Sequence, residues 1–158
     1  SDFNQGVHVR KYVNVRSDGG ATKDVTRNFS DVDYPVFRLS EMYLIYAECN
    51  LRGGGGDAAT ALSYLNKIRT RAYGNTGSGT ISEFDLQTVL DERGRELYWE
   101  GHRRTDLIRY GLLTSSTYLW PWKGGVGSGT GVDSKYNIFP IPATNLTSNT
   151  NLTQNDGY

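Results

Sequence analysis

Two runs of helical apolar spacing, separated only by the glycine run Gly53–Gly56, constrain this chain more than any other feature. Leu39, Met42, Tyr43, Tyr46, Ala47 and Asn50 recur three and four residues apart. That spacing gathers them on one side of a helix ending near Leu51. Asp57 then stands where an N-cap belongs. Beyond it Ala58, Ala61, Leu62, Leu65, Ile68 and Ala72 form the stripe of a second helix reaching about Tyr73. Short helices are marginal alone, and a linker this brief folds them back on each other as a hairpin. The small residues Ala47, Ala58, Ala59 and Ala61 allow close approach. Cys49, the single cysteine, falls in the apolar pattern of the first helix and is expected to be buried.

A third helix is expected over about Glu83 to Glu100, capped by Ser82 with Asp85 three residues on. Leu86, Val89, Leu90, Arg93, Leu97 and Tyr98 would share its inner side. Gly101 interrupts it, and a shorter helix runs from about His102 to Tyr110 before Gly111. The stretch Asp91–Gly111, "DERGRELYWEGHRRTDLIRYG", mixes charges of both signs around His102. At helical spacing, Glu92 and Asp91 face Arg95, Arg93 faces Glu96, Glu100 faces Arg103 and Arg104, and Asp106 faces His102, Arg103 and Arg109. Glu96 lies four residues from both Glu92 and Glu100 and therefore needs a further cation, with Arg38 or Arg69 as candidates. The pattern is that of a self-neutralising lattice. The competing reading takes Glu92 or Glu96 as a catalytic carboxylate. It requires two carboxylates of well-separated pKa across a cleft, and flanking arginines work against that.

The chain changes character after Gly111. In "TYLWPWKGG", Tyr118, Trp120 and Trp122 alternate around Pro121, followed by Lys123. Aromatic faces stack on the apolar faces of sugar rings and a lysine can bond hydroxyls, so these four are candidate ligand-binding residues. The alternative, preferred on sequence alone, is that the tryptophans anchor a long loop, since each can bury a large area. "IFPIP" reads as extended. The polar tail that follows has no helical or strand period and is expected to lie ordered along the surface, held by Leu146, Leu152 and Tyr158. At the other end, alternation through Val7, Val9, Tyr12, Val13 and Val15 suggests a short strand within an extended lead-in, 1–37.

The 158 residues suffice for a domain with a real core. Basic and acidic residues balance at 17 each, which argues against nucleic acid as a partner. No run approaches the ~20 apolar residues of a membrane-spanning helix. One cysteine and two distant histidines, His8 and His102, offer no metal-ligand spacing, and no cofactor is implied.

Several stretches together resemble one family. They are "RLSEMYLIYAECN", "ALSYLNKIRTRAY", the charged block with its Glu-Gly-His-Arg and Asp-Leu-Ile-Arg, "FPIPATNL", and "NTNLTQNDGY". In order and spacing they are similar to the C-terminal region of the SusD/RagB group, nutrient-binding lipoproteins of the Bacteroidetes outer membrane. Thr150 and Asp156 stand where that family's closing motif usually has proline. The opening residues lack an initiator Met, so a longer upstream region is expected, with 38–158 as the family's C-terminal domain.

The resemblance implies a mainly α fold. Its parts would be a tetratricopeptide-like hairpin, a long charged helix, extended loops and a wrapping C-terminal tail. It also implies a non-enzymatic function: capture of polysaccharide or oligosaccharide at the cell surface and delivery to a TonB-dependent outer-membrane transporter. The membrane would be reached through an N-terminal lipid anchor outside this chain. Two alternatives differ in class: a helical-repeat module for protein partners, and a carbohydrate-active enzyme using Glu92 or Glu96.

Overall fold

The structure, a computed structural model, describes residues 11–16, 18–24, 26, 28–74 and 79–158. Among these it is mainly helical, with five α-helices, two short 3-10 turns and no strand. The chain divides into two compact units at Gly101/His102.

The first unit contains α1 (Leu39–Leu51), α2 (Ala58–Tyr73) and α3 (Leu86–Glu96). Asp57 caps α2 by accepting the Thr60 backbone N–H at 2.7 Å. The turn before it is possible because Gly56 has φ +86° and lies against Tyr46, where a Cβ would come within 2.9 Å of the phenol oxygen. The Tyr46 hydroxyl accepts the Asp57 backbone N–H at 2.9 Å, tying the end of the turn to α1.

Leu44, Ala47, Ala61, Leu65, Ile68, Val89 and Leu97 form the core, with Tyr43, Tyr46, Leu51, Ile81 and Phe84 packed on it. Ala47 and Ala61 are fully buried, whereas Ala58 and Ala59 are exposed. The buried face of α1 is Leu44, Ala47 and Glu48, not the face containing Leu39 and Met42, which are 64% and 44% exposed. Cys49 is exposed, contrary to expectation. It lies one residue, about 100° of helix rotation, beyond buried Glu48. α1 carries apolar side chains around much of its circumference, so spacing alone does not select its inner face.

The third helix is shorter than the sequence suggests. Asp85 is its N-cap, accepting from the Thr88 N–H at 2.7 Å, and Ser82 lies outside it. It closes after Glu96, where the Leu97 N–H bonds the Arg93 carbonyl at 2.9 Å. A turn through Tyr98 and Trp99 follows, Trp99 having φ +65°. The approach to α3 is pinned by Asn66, whose side chain bonds both the N–H and the C=O of Ile81 at 2.9 Å. The suggested strand falls partly on residues 1–10, outside the described residues. Residues 11–16 contain a turn at 11–12 and a bend at 14, and no strand.

The second unit contains α4 (Arg103–Arg109), 3-10 turns at Lys123–Gly125 and Ser134–Asn137, and α5 (Ala143–Ser148). α5 was not legible in the tail. It is six residues long, too short to show a period, and follows Pro142, its N-cap, whose carbonyl accepts the N–H groups of Asn145 and Leu146. Polar groups do most of the tethering. Gln154 bonds both backbone groups of Ile141, at 2.8 and 2.9 Å. Asn155 donates to the Phe139 carbonyl, and Lys135 to that of Gly157. The Tyr158 hydroxyl lies 3.1 and 2.9 Å from the carbonyls of Lys135 and Ile138. Leu152 is 40% exposed, so it is not the anchor its apolar character suggests.

Candidate functional site

The charged block resolves into two arrangements. In the first unit, the glutamates of α3 and of the turn after it are buried and satisfied largely from other elements. Glu92 is 2% exposed and receives Arg69 of α2 at 2.7 Å and Arg95 at 2.8 Å. Glu96 receives Arg71 of α2 at 2.5 Å and also Arg38, the residue preceding α1. Arg38 donates further to the Glu96 carbonyl at 2.5 Å and to both oxygens of Glu100 at 2.9 and 2.8 Å. Lys11 adds a bond to Glu100 and one to the Glu96 carbonyl at 3.0 Å. Arg93 lies 4.0 Å from Glu41 of α1. So the further cations on Glu96 are Arg38 and Arg71, while Arg69 serves Glu92.

These contacts shift the titration of Glu100 and Arg38. Burial pushes the Glu100 carboxyl up, but hydrogen bonds from Arg38 and Lys11 outweigh it and hold its pKa below the ordinary value. Burial likewise opposes the charge on Arg38, and the hydrogen bonds to Glu100 and Glu96 more than compensate, raising its pKa. Buried carboxylates each held by two cations have geometry suited to joining helices. None of Glu92, Glu96 and Glu100 has a face turned to open solvent, as a general acid or nucleophile would require.

In the second unit Arg103 and Arg104 tie later segments of the chain to α4, while Arg109 pairs within it. Arg104 donates to the Tyr136 carbonyl at 2.7 Å and its guanidinium lies 4.0 Å from the centre of the Phe139 ring. Arg109 pairs with buried Asp106 at 2.8 Å. Arg103 donates to the Tyr118 hydroxyl at 2.5 Å.

That last bond forms one wall of a cleft of about 540 Å³ lined by Arg103, Leu107, Tyr118, Leu119 and Trp120. Tyr118 and Trp120 meet edge to face with centroids 6.1 Å apart. Lys123 is placed differently from the sequence expectation. It is 3% exposed, and its ammonium donates to the carbonyls of Tyr118 at 2.5 Å, Ser115 at 3.1 Å and Leu112 at 3.4 Å. It also lies 4.6 Å from the Trp120 ring centre. Its three protons are spent inside the loop, so it is the loop's anchor and has none left for a sugar hydroxyl. Trp120 is 38% exposed and Trp122 73% exposed. No signal in "WPWKGG" separates the buried lysine from the exposed tryptophans, because their roles are set by the path of residues 112–118 beneath them. Among the described residues no cluster of histidine, cysteine and carboxylate could hold a metal, and no helix is long and apolar enough to cross a membrane.

The first unit is thus a helix hairpin tied through buried carboxylates to a third helix, and the second contains an aromatic cleft. The family model of the SusD family matches residues 1–158, and the chain belongs to that family. Over its whole length it is 43% identical to the starch-binding protein SusD of Bacteroides thetaiotaomicron, matching 27% of that protein. It is 34% identical over 125 residues, 77% of the chain, to the SusD-like protein P25 of Formosa agariphila, of which it covers 23%. The chain thus spans about a quarter of the length of these curated relatives.

Proposed function

We propose that the protein containing this chain binds a polysaccharide or oligosaccharide at the bacterial cell surface without cleaving it. It then passes the glycan to a TonB-dependent outer-membrane transporter. The chain serves that protein chiefly as C-terminal scaffold, and the Tyr118–Trp120 cleft is its own contact with the glycan. The membrane attachment in this reading is a lipid anchor upstream of the chain. One observation carries the reading: an open aromatic cleft occurs in a chain 43% identical, end to end, to a relative named as starch-binding. Aromatic rings with a hydrogen-bonding guanidinium–phenol pair beside them suit a ligand with apolar ring faces and hydroxyl edges. The non-catalytic part is supported by the relative being named as a binding protein and by the salt-bridged state of Glu92 and Glu96.

Calorimetry of the full-length protein against soluble polysaccharides, starch first, tests the reading. Binding weakened by Trp120→Ala is expected. Absence of binding to every member of a broad panel would sink it and leave the protein-partner module. Release of reducing ends by the parent protein, lost in Glu96→Gln, would replace it with an enzyme.

A further inference from the structure

Trp122 has φ +67° and ψ 7°, a left-handed conformation that L-residues with bulky side chains rarely adopt. Its indole is nonetheless 73% exposed, so the strain is not offset by burying the ring. The conformation is enforced from both sides. The Trp122 N–H donates to the Gly127 carbonyl at 3.4 Å, and its carbonyl accepts the Gly125 N–H at 3.0 Å. Next to it, Lys123 is locked inside the loop by its three carbonyls and two backbone bonds, to Trp120 and Thr130. Gly129 closes the loop, passing so near Trp120 that a Cβ would stand 2.4 Å from the Trp120 carbonyl oxygen. The ring is therefore presented by a preformed loop.

Residues 124, 125, 127 and 129 are glycine, and a Cβ at Gly127 would stand 4.0 Å from the indole. The one ionisable side chain between Tyr118 and Gly131, apart from the Tyr118 phenol, is Lys123, which is buried. Trp122 does not line the Tyr118–Trp120 cleft.

We propose that Trp122 is a second, separate contact: a preformed stacking platform for one pyranose ring of a neutral polysaccharide. This rests on the glycan-binding reading above. An exposed, flat apolar face suits a ligand whose hydroxyl rim stays in water. A loop without an available charge offers nothing to the carboxylates or sulfates of an acidic glycan. Strained residues held by the structure around them cluster at ligand clamps and other functional sites.

The test compares full-length parent, Trp122→Gly and Trp122→Phe by affinity electrophoresis through starch, galactomannan and alginate gels, with melting temperatures measured alongside. Glycine relaxes the left-handed position, so Trp122→Gly should melt at or above the parent temperature. On a neutral polysaccharide its affinity should fall about ten-fold, one stacking contact of roughly 1.4 kcal/mol. Trp122→Phe should stay within about three-fold of the parent. If the parent binds and Trp122→Gly binds equally well, the platform is wrong and the glycan reading stands. If Trp122→Gly melts lower, the ring is packed against protein and the platform is wrong. Stronger retardation by alginate than by the neutral gels overturns the neutral class. A parent retarded by none of the gels, while calorimetry finds no other glycan, overturns the platform together with the reading it rests on.

Discussion

Arg38→Met removes the group that joins the start of α1 to both ends of the turn after α3. Its guanidinium serves two buried carboxylates, those of Glu96 and Glu100, and the Glu96 carbonyl. Losing one partner of a buried ion pair costs about 3–5 kcal/mol, because the other charge stays buried. Here each carboxylate keeps a second cation, Lys11 on Glu100 and Arg71 on Glu96, and those side chains are 28% and 63% exposed. The expected loss is therefore about 2–4 kcal/mol, read from the urea midpoint and slope of the full-length protein. Glu100→Gln in the same background should show strong non-additivity, since the two residues share one bond network. The acid limb of the stability curve gives an independent reading. Glu100 has a folded pKa below its ordinary 4.5, so on acidification the unfolded chain takes up the proton first. Its contribution is fully present above about 4.5 and is lost as pH falls through the lower folded value. In Arg38→Met the carboxyl loses its main hydrogen-bond donor, and this acid-side loss should become shallower. A midpoint shift worth less than about 1 kcal/mol, the size of a surface pair, would refute the claim that this network locks the helices.

Lys123→Met should keep the bulk of the side chain but leave three carbonyls without their charged donor. About 3 kcal/mol of stability should go with it, together with the altered near-ultraviolet signal of Trp120 and Trp122. Gly129→Ala places a methyl 2.4 Å from the Trp120 carbonyl oxygen at φ +81°, and a cost of about 2–4 kcal/mol is expected in thermal melts. Asp57→Ala removes the cap of α2 and should lower the melting temperature by less than Arg38→Met does, while Asp57→Asn, which keeps an acceptor, should restore most of it.

Features that depend on a few adjacent residues are legible in the sequence. The bounds of α1 and α2 follow from apolar spacing, the glycine run and Asp57, because capping and left-handed turns are local chemistry. The sequence pattern extends α3 further than the structure does. The charged and aromatic residues after Glu96 continue a helical pattern in sequence, yet the chain turns there, with Trp99 and Gly101 at positive φ. With the helix ended, neighbour rules at three and four residues no longer apply across that turn, and Glu100 finds Lys11 and Arg38 instead.

By itself, the sequence determined the helix hairpin, the family and the presence of a charge-balanced block, because each is written in local spacing or motif order. Only the tertiary structure decided which face of α1 is buried, that Cys49 faces out, and which cations serve Glu96. It alone decided that Lys123 is buried while Trp122 beside it stands open. The physical reason is common to all four: burial and pairing depend on which segments meet in space, and residues far apart in the chain, such as 38 and 100 or 112 and 123, meet only once the backbone has folded.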